Sequence, residues 1–327
     1  MIIGITTLLT ILLVVVPHCI YGIALIVGRI CNLHIPYAPF GWSALALILI
    51  AWGILVYGYS IGRWRFVVEE IEYANLDIPQ PFDGYRIVHI SDLHLSTFDD
   101  NHQQLSHVVD MINGIGADLV CFTGDLVNLS ANEVEPYIED LRRIKTKDGV
   151  ISVLGNHDFM LYSFGEHSEQ VRTHAVERLV ALQRQQLGWI VLRNANHAIW
   201  HEEEKITILG VDNHSCSEQG FHTIAHGDLA KAMEGSDGFR ILLSHDPSHW
   251  GTEVISQTDI PLTLSGHTHS AQVRLFGWTP ASWVFKYTAG RYDEGGQTLH
   301  INIGLGCTAP FRIGANPEIS VITLRRR

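Results

Sequence analysis

Five short apolar runs in this chain each end on a polar cluster drawn from Asp, Asn and His, and that recurrence constrains the fold more than any other feature. Residues 85–91 deliver Asp92 and His94, and residues 118–123 stop at Gly124-Asp125. The run at 150–154 stops at Gly155-Asn156-His157-Asp158. Residues 240–244 lead to His245, and 261–265 lead to Gly266-His267-Thr268-His269. Short apolar runs bounded by turn residues are the signature of buried strands. Between the first three lie two helical patterns. Leu105, Val108, Val109, Ile112 and Ile115 mark one over 102–116, and Val134, Tyr137, Ile138 and Leu141 mark another over 133–144. Strand, polar turn and helix thus repeat, as in α/β folds whose functional groups collect beyond the carboxyl ends of strands.

The remaining segments extend this scheme. A first strand is expected near 65–72, a long amphipathic helix over 168–187, and short strands at 189–192, 198–200 and 206–211. The tail alternates over 298–303 and 319–324, which suits antiparallel strands closing a second sheet. The fold class expected is α/β (α+β): a two-sheet β-sandwich flanked by helices, in one domain over 66–327.

Residues 1–65 read differently. Up to residue 62 the only formal charge is Arg29, and two apolar stretches, 2–16 and 44–61, sit in uncharged segments long enough for a membrane helix of about 20 residues. The first lacks the basic start of a signal peptide and exceeds its usual apolar length. Two transmembrane helices are therefore expected, with Pro36 and Pro39 in the turn and Trp42, Trp52, Tyr57, Tyr59 and Trp64 as interfacial aromatics. Arg63 and Arg65 outnumber Arg29, so the carboxy-terminal domain is expected on the cytoplasmic side of an integral membrane protein. Pro17 and His18 are read as a kink and a satisfied neutral imidazole.

The chain carries a net charge of −12, so the part after residue 62 carries −12 − (+1) = −13. Such an acidic domain offers no general footprint for a phosphate backbone, and no nucleic-acid partner is expected. Five cysteines without a CxxC pair do not make a disulfide framework.

Asp92, Asp125 and Asn156 supply oxygen ligands, and His94, His245, His267 and His269 supply nitrogens. Such a mixed set suits a divalent ion that activates water, and a pair of ions needs a carboxylate to bridge them. In this order and spacing, Asp92-Leu93-His94, Gly124-Asp125-x-x-Asn128, Gly155-Asn156-His157-Asp158, Ser244-His245-Asp246 and Gly266-His267-Thr268-His269 resemble the blocks of the calcineurin-like metallophosphoesterases. The likeness spans roughly 86–310. It includes Tyr287-x-Ala289-Gly290-Arg291-Tyr292 and Pro310-Phe311-Arg312 of the membrane-associated subgroup, similar to UDP-2,3-diacylglucosamine pyrophosphatase-like phosphoesterases. The resemblance implies a metallophosphatase fold and two divalent cofactors, whether Mn, Fe, Zn or Co. Asp92, His94 and His269 would hold the first ion, Asn156, His245 and His267 the second, and Asp125 would bridge them. His157 would act as the catalytic group on the leaving oxygen, while the ions' hydroxide attacks phosphorus.

Two departures from the family pattern stand out. Asn128 occupies the position where many members have the Asp that orients the catalytic His, with Asp158 as a possible substitute; and Ser270-Ala271 replace small glycines. Asn128 and Arg312 are candidate substrate contacts, Arg312 through its planar fork, with a loop salt bridge as the alternative for Arg312. His89 is read as a core residue and His214 as a candidate cleft residue. His102, His107, His167, His174, His197, His201, His222, His226, His249 and His300 are read as mostly surface or supporting groups.

The expected function is a membrane-anchored, metal-dependent phosphohydrolase cleaving a phosphodiester or pyrophosphate bond. A lipid-linked substrate such as UDP-diacylglucosamine fits the anchor. The alternatives are a phosphodiesterase on a soluble substrate, or an inactive membrane scaffold of the same fold.

Overall fold

A computed structural model describes residues 2–99, 101–163, 168–220 and 222–327, with side chains from residue 7 onward. His167 lies outside the described residues. The chain divides into two compact units, Met1–Gly62 and Arg63–Arg327.

The first unit is a pair of helices, α1 (Ile2–Cys31) and α2 (Ala38–Ser60). Apolar side chains cover their outer surfaces, as at Ile23, 63% exposed, and Leu49, 64% exposed. Both helices are long and apolar enough to cross a membrane. Pro17 lies within α1, and His18 is satisfied by the Val14 carbonyl and the Tyr37 hydroxyl. Trp64, expected among the interfacial aromatics, instead belongs to the second unit and packs against Phe66 and Phe98.

The second unit is a sandwich of two six-stranded sheets. The first contains, in spatial order, β1 (Val67–Ala74), β12 (Glu318–Arg325), β2 (Arg86–Ile90), β3 (Leu119–Phe122), β4 (Val150–Ser152) and β5 (Ile190–Val191). The second contains β10 (Gly290–Glu294), β11 (Gln297–Ile301), β9 (Leu262–Ser265), β8 (Phe239–Leu243), β7 (Glu204–Gly210) and β6 (Ala195–His201). Strands β2 to β5 run parallel, as do β7, β8, β9 and β11. Ile87, Leu119, Cys121 and Ile151 meet Ile206, Ile208, Ile241 and Leu264 between the sheets. The outer face of the first sheet is covered by α3 (His102–Ile115) through Leu105, Val108 and Ile112, so both faces of the central strands are dry. That double burial explains why these strands read as unbroken apolar runs.

Two expectations are corrected. The final strand, β12, joins the first sheet between β1 and β2, parallel to one and antiparallel to the other. The tail therefore supplies one strand to each sheet. Residues 133–144 do not form one helix: a 3-10 segment, Ala131–Tyr137, passes into a single α-turn, α4 (Ile138–Leu141). Pro136 within it lacks an amide proton and crowds the preceding turn. The expected 168–187 helix is α5 (Glu169–Ala181) continued by a π-turn over Leu182–Gln186.

Candidate metal centre

The parallel strands deliver the polar blocks to one place. Asp92 and His94 follow β2, Asp125 follows β3, and Asn156 and His157 follow β4; from the other sheet, His245 follows β8, and His267 and His269 follow β9. Asp92, His94, Asp125, Asn156, His245, His267 and His269 are all buried. Asp92, His94, Asp125, His267 and His269 have positive φ, a region uncommon for residues with side chains that concentrates at functional sites. The flanking glycines make room. A Cβ on Gly155 would collide with the Asp125 carboxylate, and one on Gly266 with Ser91 and Asp92.

The cluster has two halves. In one, His94 Nε2 and His269 Nε2 stand 3.1 Å apart, with Asp92 Oδ1 3.2 Å from His269 and 3.8 Å from His94. In the other, Asn156 Oδ1 lies 3.1 Å from His245 Nε2 and 2.8 Å from His267 Nδ1. Asp125 Oδ2 lies between them, 3.6 Å from His94 Nε2 and 3.2 Å from His245 Nε2. Buried ring nitrogens facing each other, beside a fully buried Asp92 Oδ1 that makes no hydrogen bond, form a donor set that a cation completes. Two groups of this kind, Asp92-His94-His269 and Asp125-His245-His267, fit single ions.

Surrounding groups fix the orientation of the donors. His245 Nδ1 donates to the Thr123 carbonyl at 2.7 Å, which leaves Nε2 toward Asp125. Asn156 Nδ2 donates to the Tyr162 hydroxyl at 3.0 Å, turning Oδ1 toward the imidazoles. Gln219 Oε1 lies 2.8 Å from His267 Nε2 while its amide donates to Asp246 at 2.6 Å. Supporting contacts of this kind set the tautomer of a metal-binding His. Tyr162 and Gln219 escaped the sequence reading because neither belongs to a block that ends a strand.

Electrostatics follow from burial and the two aspartates. Burial alone would lower the His245 imidazole, but Asp125 overrides it and raises it to about 10. Burial likewise works against ionisation of Asp125, yet His245 and His157 hold the carboxyl below the usual range. Burial takes His157 down to about 4 despite the pull of Asp125.

The support of His157 differs from expectation. Its Nδ1 lies 2.8 Å from the backbone carbonyl of Asn128, which accepts its proton. The Asn128 amide instead donates to Ser96 Oγ at 2.6 Å, so the side chain does not orient the imidazole. Asp158 does not replace it either: its carboxylate accepts from the backbone amides of Asp125, Leu126, Val127 and Gly155, tying two loops together. Burial and the nearby Asp125 charge push this carboxyl up to about 7. Glu133 holds the Asn128 carbonyl in place by accepting from the amides of Asn128, Leu129 and Ser130.

Arg312 is also corrected. It is fully buried, and its guanidinium donates to the carbonyls of Ile303, Gly304, Gly306 and Ala315. Those contacts consume the fork that a phosphate would need, and among the described residues no salt bridge replaces them. Arg312 shapes the loop behind His269, with its NH2 3.2 Å from His269 Nδ1. His89, His249 and His300 are buried, and His214 lies beside Cys216 and Glu253 away from the seven-residue cluster.

Known proteins resemble this chain. Residues 85–271 match the family model for calcineurin-like phosphoesterases. An uncharacterized metallophosphoesterase, YkuE of Bacillus subtilis (strain 168), is 30% identical over 82% of this chain and 90% of its own length. A transmembrane protein with metallophosphoesterase domain from Danio rerio is 28% identical over 88% of this chain and 63% of that protein, so the chain spans less than two thirds of it. Among solved structures, Haemophilus influenzae NAD nucleotidase (NadN) is 15% identical over 68% of this chain and 45% of its own, with a TM-score of 0.42. The family match covers more than half of the chain and takes in all seven clustered residues: the chain belongs to the calcineurin-like phosphoesterases, which use two divalent metal ions.

Proposed function

We propose that the chain is a membrane-anchored hydrolase of phosphodiester or pyrophosphate bonds, acting on an amphiphilic, lipid-linked substrate of the UDP-diacylglucosamine kind. The observation that carries the reading is Asp125 Oδ2, held between His94 and His245 at 3.6 and 3.2 Å. In this reading Asp92, His94 and His269 hold one divalent ion, Asn156, His245 and His267 hold the other, and Asp125 is shared. When bound, such ions polarise phosphoryl oxygens and make a water nucleophile available near neutral pH.

The remaining work falls to the chain. His157, oriented through Nδ1 by the Asn128 carbonyl, presents its other nitrogen to the leaving oxygen. A neutral carbonyl stabilises an imidazolium less than a carboxylate would, which favours a leaving group that departs without full protonation. A phosphate leaving from a pyrophosphate is one. The apolar helices α1 and α2 support anchoring. The excess of Arg63 and Arg65 over Arg29 favours a cytoplasmic catalytic unit.

The test is metal-dependent hydrolysis of bis-(p-nitrophenyl) phosphate, followed by a panel of lipid-linked and nucleotide-linked phosphoesters with products identified by mass. Turnover is expected to be lost in Asp125→Ala and reduced in His157→Ala, less on p-nitrophenyl esters than on substrates with poor leaving groups, with lipid-linked pyrophosphates cleaved best. A fully metal-loaded protein that turns over none of the panel would refute the enzyme reading, and a preference for water-soluble diesters would refute the lipid-linked substrate.

A further inference from the structure

A second group of metal-ligating side chains lies outside the seven-residue cluster. His214 and Cys216 stand on the loop after β7, and His249 and Glu253 lie one helical turn apart on the segment after β8. That segment passes from an α-turn, Pro247–His249, into a π-turn, Trp250–Val254, and π-turns of this kind recur at functional sites. Glu253 Oε1 is 3.2 Å from His214 Nε2 and 3.8 Å from Cys216 Sγ, and Glu253 Oε2 is 3.6 Å from His249 Nε2. Donor atoms around a tetrahedral zinc ion, at bond lengths of about 2.0–2.3 Å, stand roughly 3.3–3.8 Å apart.

Two features point to a ligand rather than to packing. His249 is fully buried and its Nε2 makes no hydrogen bond among the described residues, although its Nδ1 is paired with Ser244 Oγ at 2.9 Å. His214 Nδ1 is likewise paired outward, with the Gly227 carbonyl at 2.9 Å, and turns Nε2 toward Glu253. Each imidazole is thus held by one nitrogen and offers the other, the arrangement that supports metal-binding His. Cys216 makes no disulfide. Burial and the Glu253 charge push its thiol up to about 12, so it is no free nucleophile.

We propose that His214, Cys216 and Glu253, with the open Nε2 of His249 beside the Glu253 carboxylate, form a further metal site that takes one zinc-like divalent ion. An imidazole, a thiolate and a carboxylate are a donor set that favours Zn over Mg or Ca. The ion pins the loop after β7 to the helical segment after β8. The same loop carries Gln219, which contacts His267 and Asp246, so the site acts as a brace for one side of the dinuclear cluster.

The dinuclear cluster contains no cysteine, which gives the proposal its own spectroscopic signature. In the detergent-purified full-length protein loaded with Co(II), a thiolate-to-cobalt charge-transfer band in the near ultraviolet is expected. Cys216→Ser abolishes it and lowers metal content by one ion per chain, Glu253→Gln weakens cobalt affinity at least tenfold, and Asp92→Asn leaves the band in place. The Asp92→Asn arm separates this site from the phosphoesterase centre, and titration of the wild-type protein keeps the test decisive where Cys216→Ser does not fold. A wild-type protein with no such band at saturating cobalt, or a band that persists in folded Cys216→Ser, overturns the proposal.

Discussion

Two pairs of buried histidines in this molecule have the same nitrogen-to-nitrogen separation and different chemistry. His89 Nδ1 and His300 Nδ1 are 3.1 Å apart, as are His94 Nε2 and His269 Nε2. Both pairs join the two sheets. The His89 ring is completed by the Thr123 hydroxyl at 3.0 Å, and burial, then the neighbouring imidazole, holds it neutral, well below its ordinary range. Burial should do the same to His94, yet Asp92 and Asp125 raise it. His269, nearer Asp92, stays well below its ordinary range because burial outweighs the carboxylate. The aspartates, not the closeness of imidazoles, make one pair part of the proposed cation site. A hydroxyl partner leaves the other as packing.

The most direct way to break the contrast is to remove the shared charge. Asp125→Asn is expected to lower kcat/KM by about a thousandfold, at the upper end for losing one stabilising group at a reacting centre, with a matching loss of bound metal by elemental analysis. A variant that kept both metal and activity would place the decisive charge elsewhere.

The neutral pair is sharpened by pH. His300 sits at about 4 because of burial, and then the Arg291 charge. Unfolded imidazoles near 6.5 bind protons that the folded pair does not, so the unfolded state gains protons and stability falls as pH drops from about 6.5 to about 4. At about 1.36 kcal/mol per unit, His300 alone contributes on the order of 3 kcal/mol to that loss. His300→Gln should therefore flatten the dependence of Tm on pH in this window. An unchanged slope would mean that the pair is charged in the folded protein.

Smaller effects probe the supports. His157→Ala should reduce kcat by about a hundredfold on substrates with poor leaving groups and by less on p-nitrophenyl esters, compared in steady-state assays. Equal losses on both would assign His157 to binding. Tyr162→Phe, which frees the Asn156 amide, should weaken metal affinity about tenfold by competition with a chelator, with little change in kcat at saturating metal.

The sequence made the strand ends legible because parallel strands buried on both faces read as apolar runs, and each run stops where a ligand begins. Seven such residues could be named and meet in one cluster. What stayed hidden depended on backbone partners and burial. The Arg312 fork suits a phosphate in sequence, yet four backbone carbonyls occupy it, and the Asn128 contribution comes from its carbonyl, which every residue possesses. Pro136 broke an apolar pattern that otherwise fitted a helix. The registry of β12 in the first sheet, rather than the second, reflects pairing on both of its edges, which alternation alone does not specify.

Asp125 is proposed to join two ions, and electron paramagnetic resonance of the Mn(II)-loaded protein tests this most directly. An exchange-coupled dinuclear signal is expected, collapsing to an isolated-ion spectrum in Asp125→Asn. An uncoupled signal in the wild-type protein at saturating manganese would contradict it.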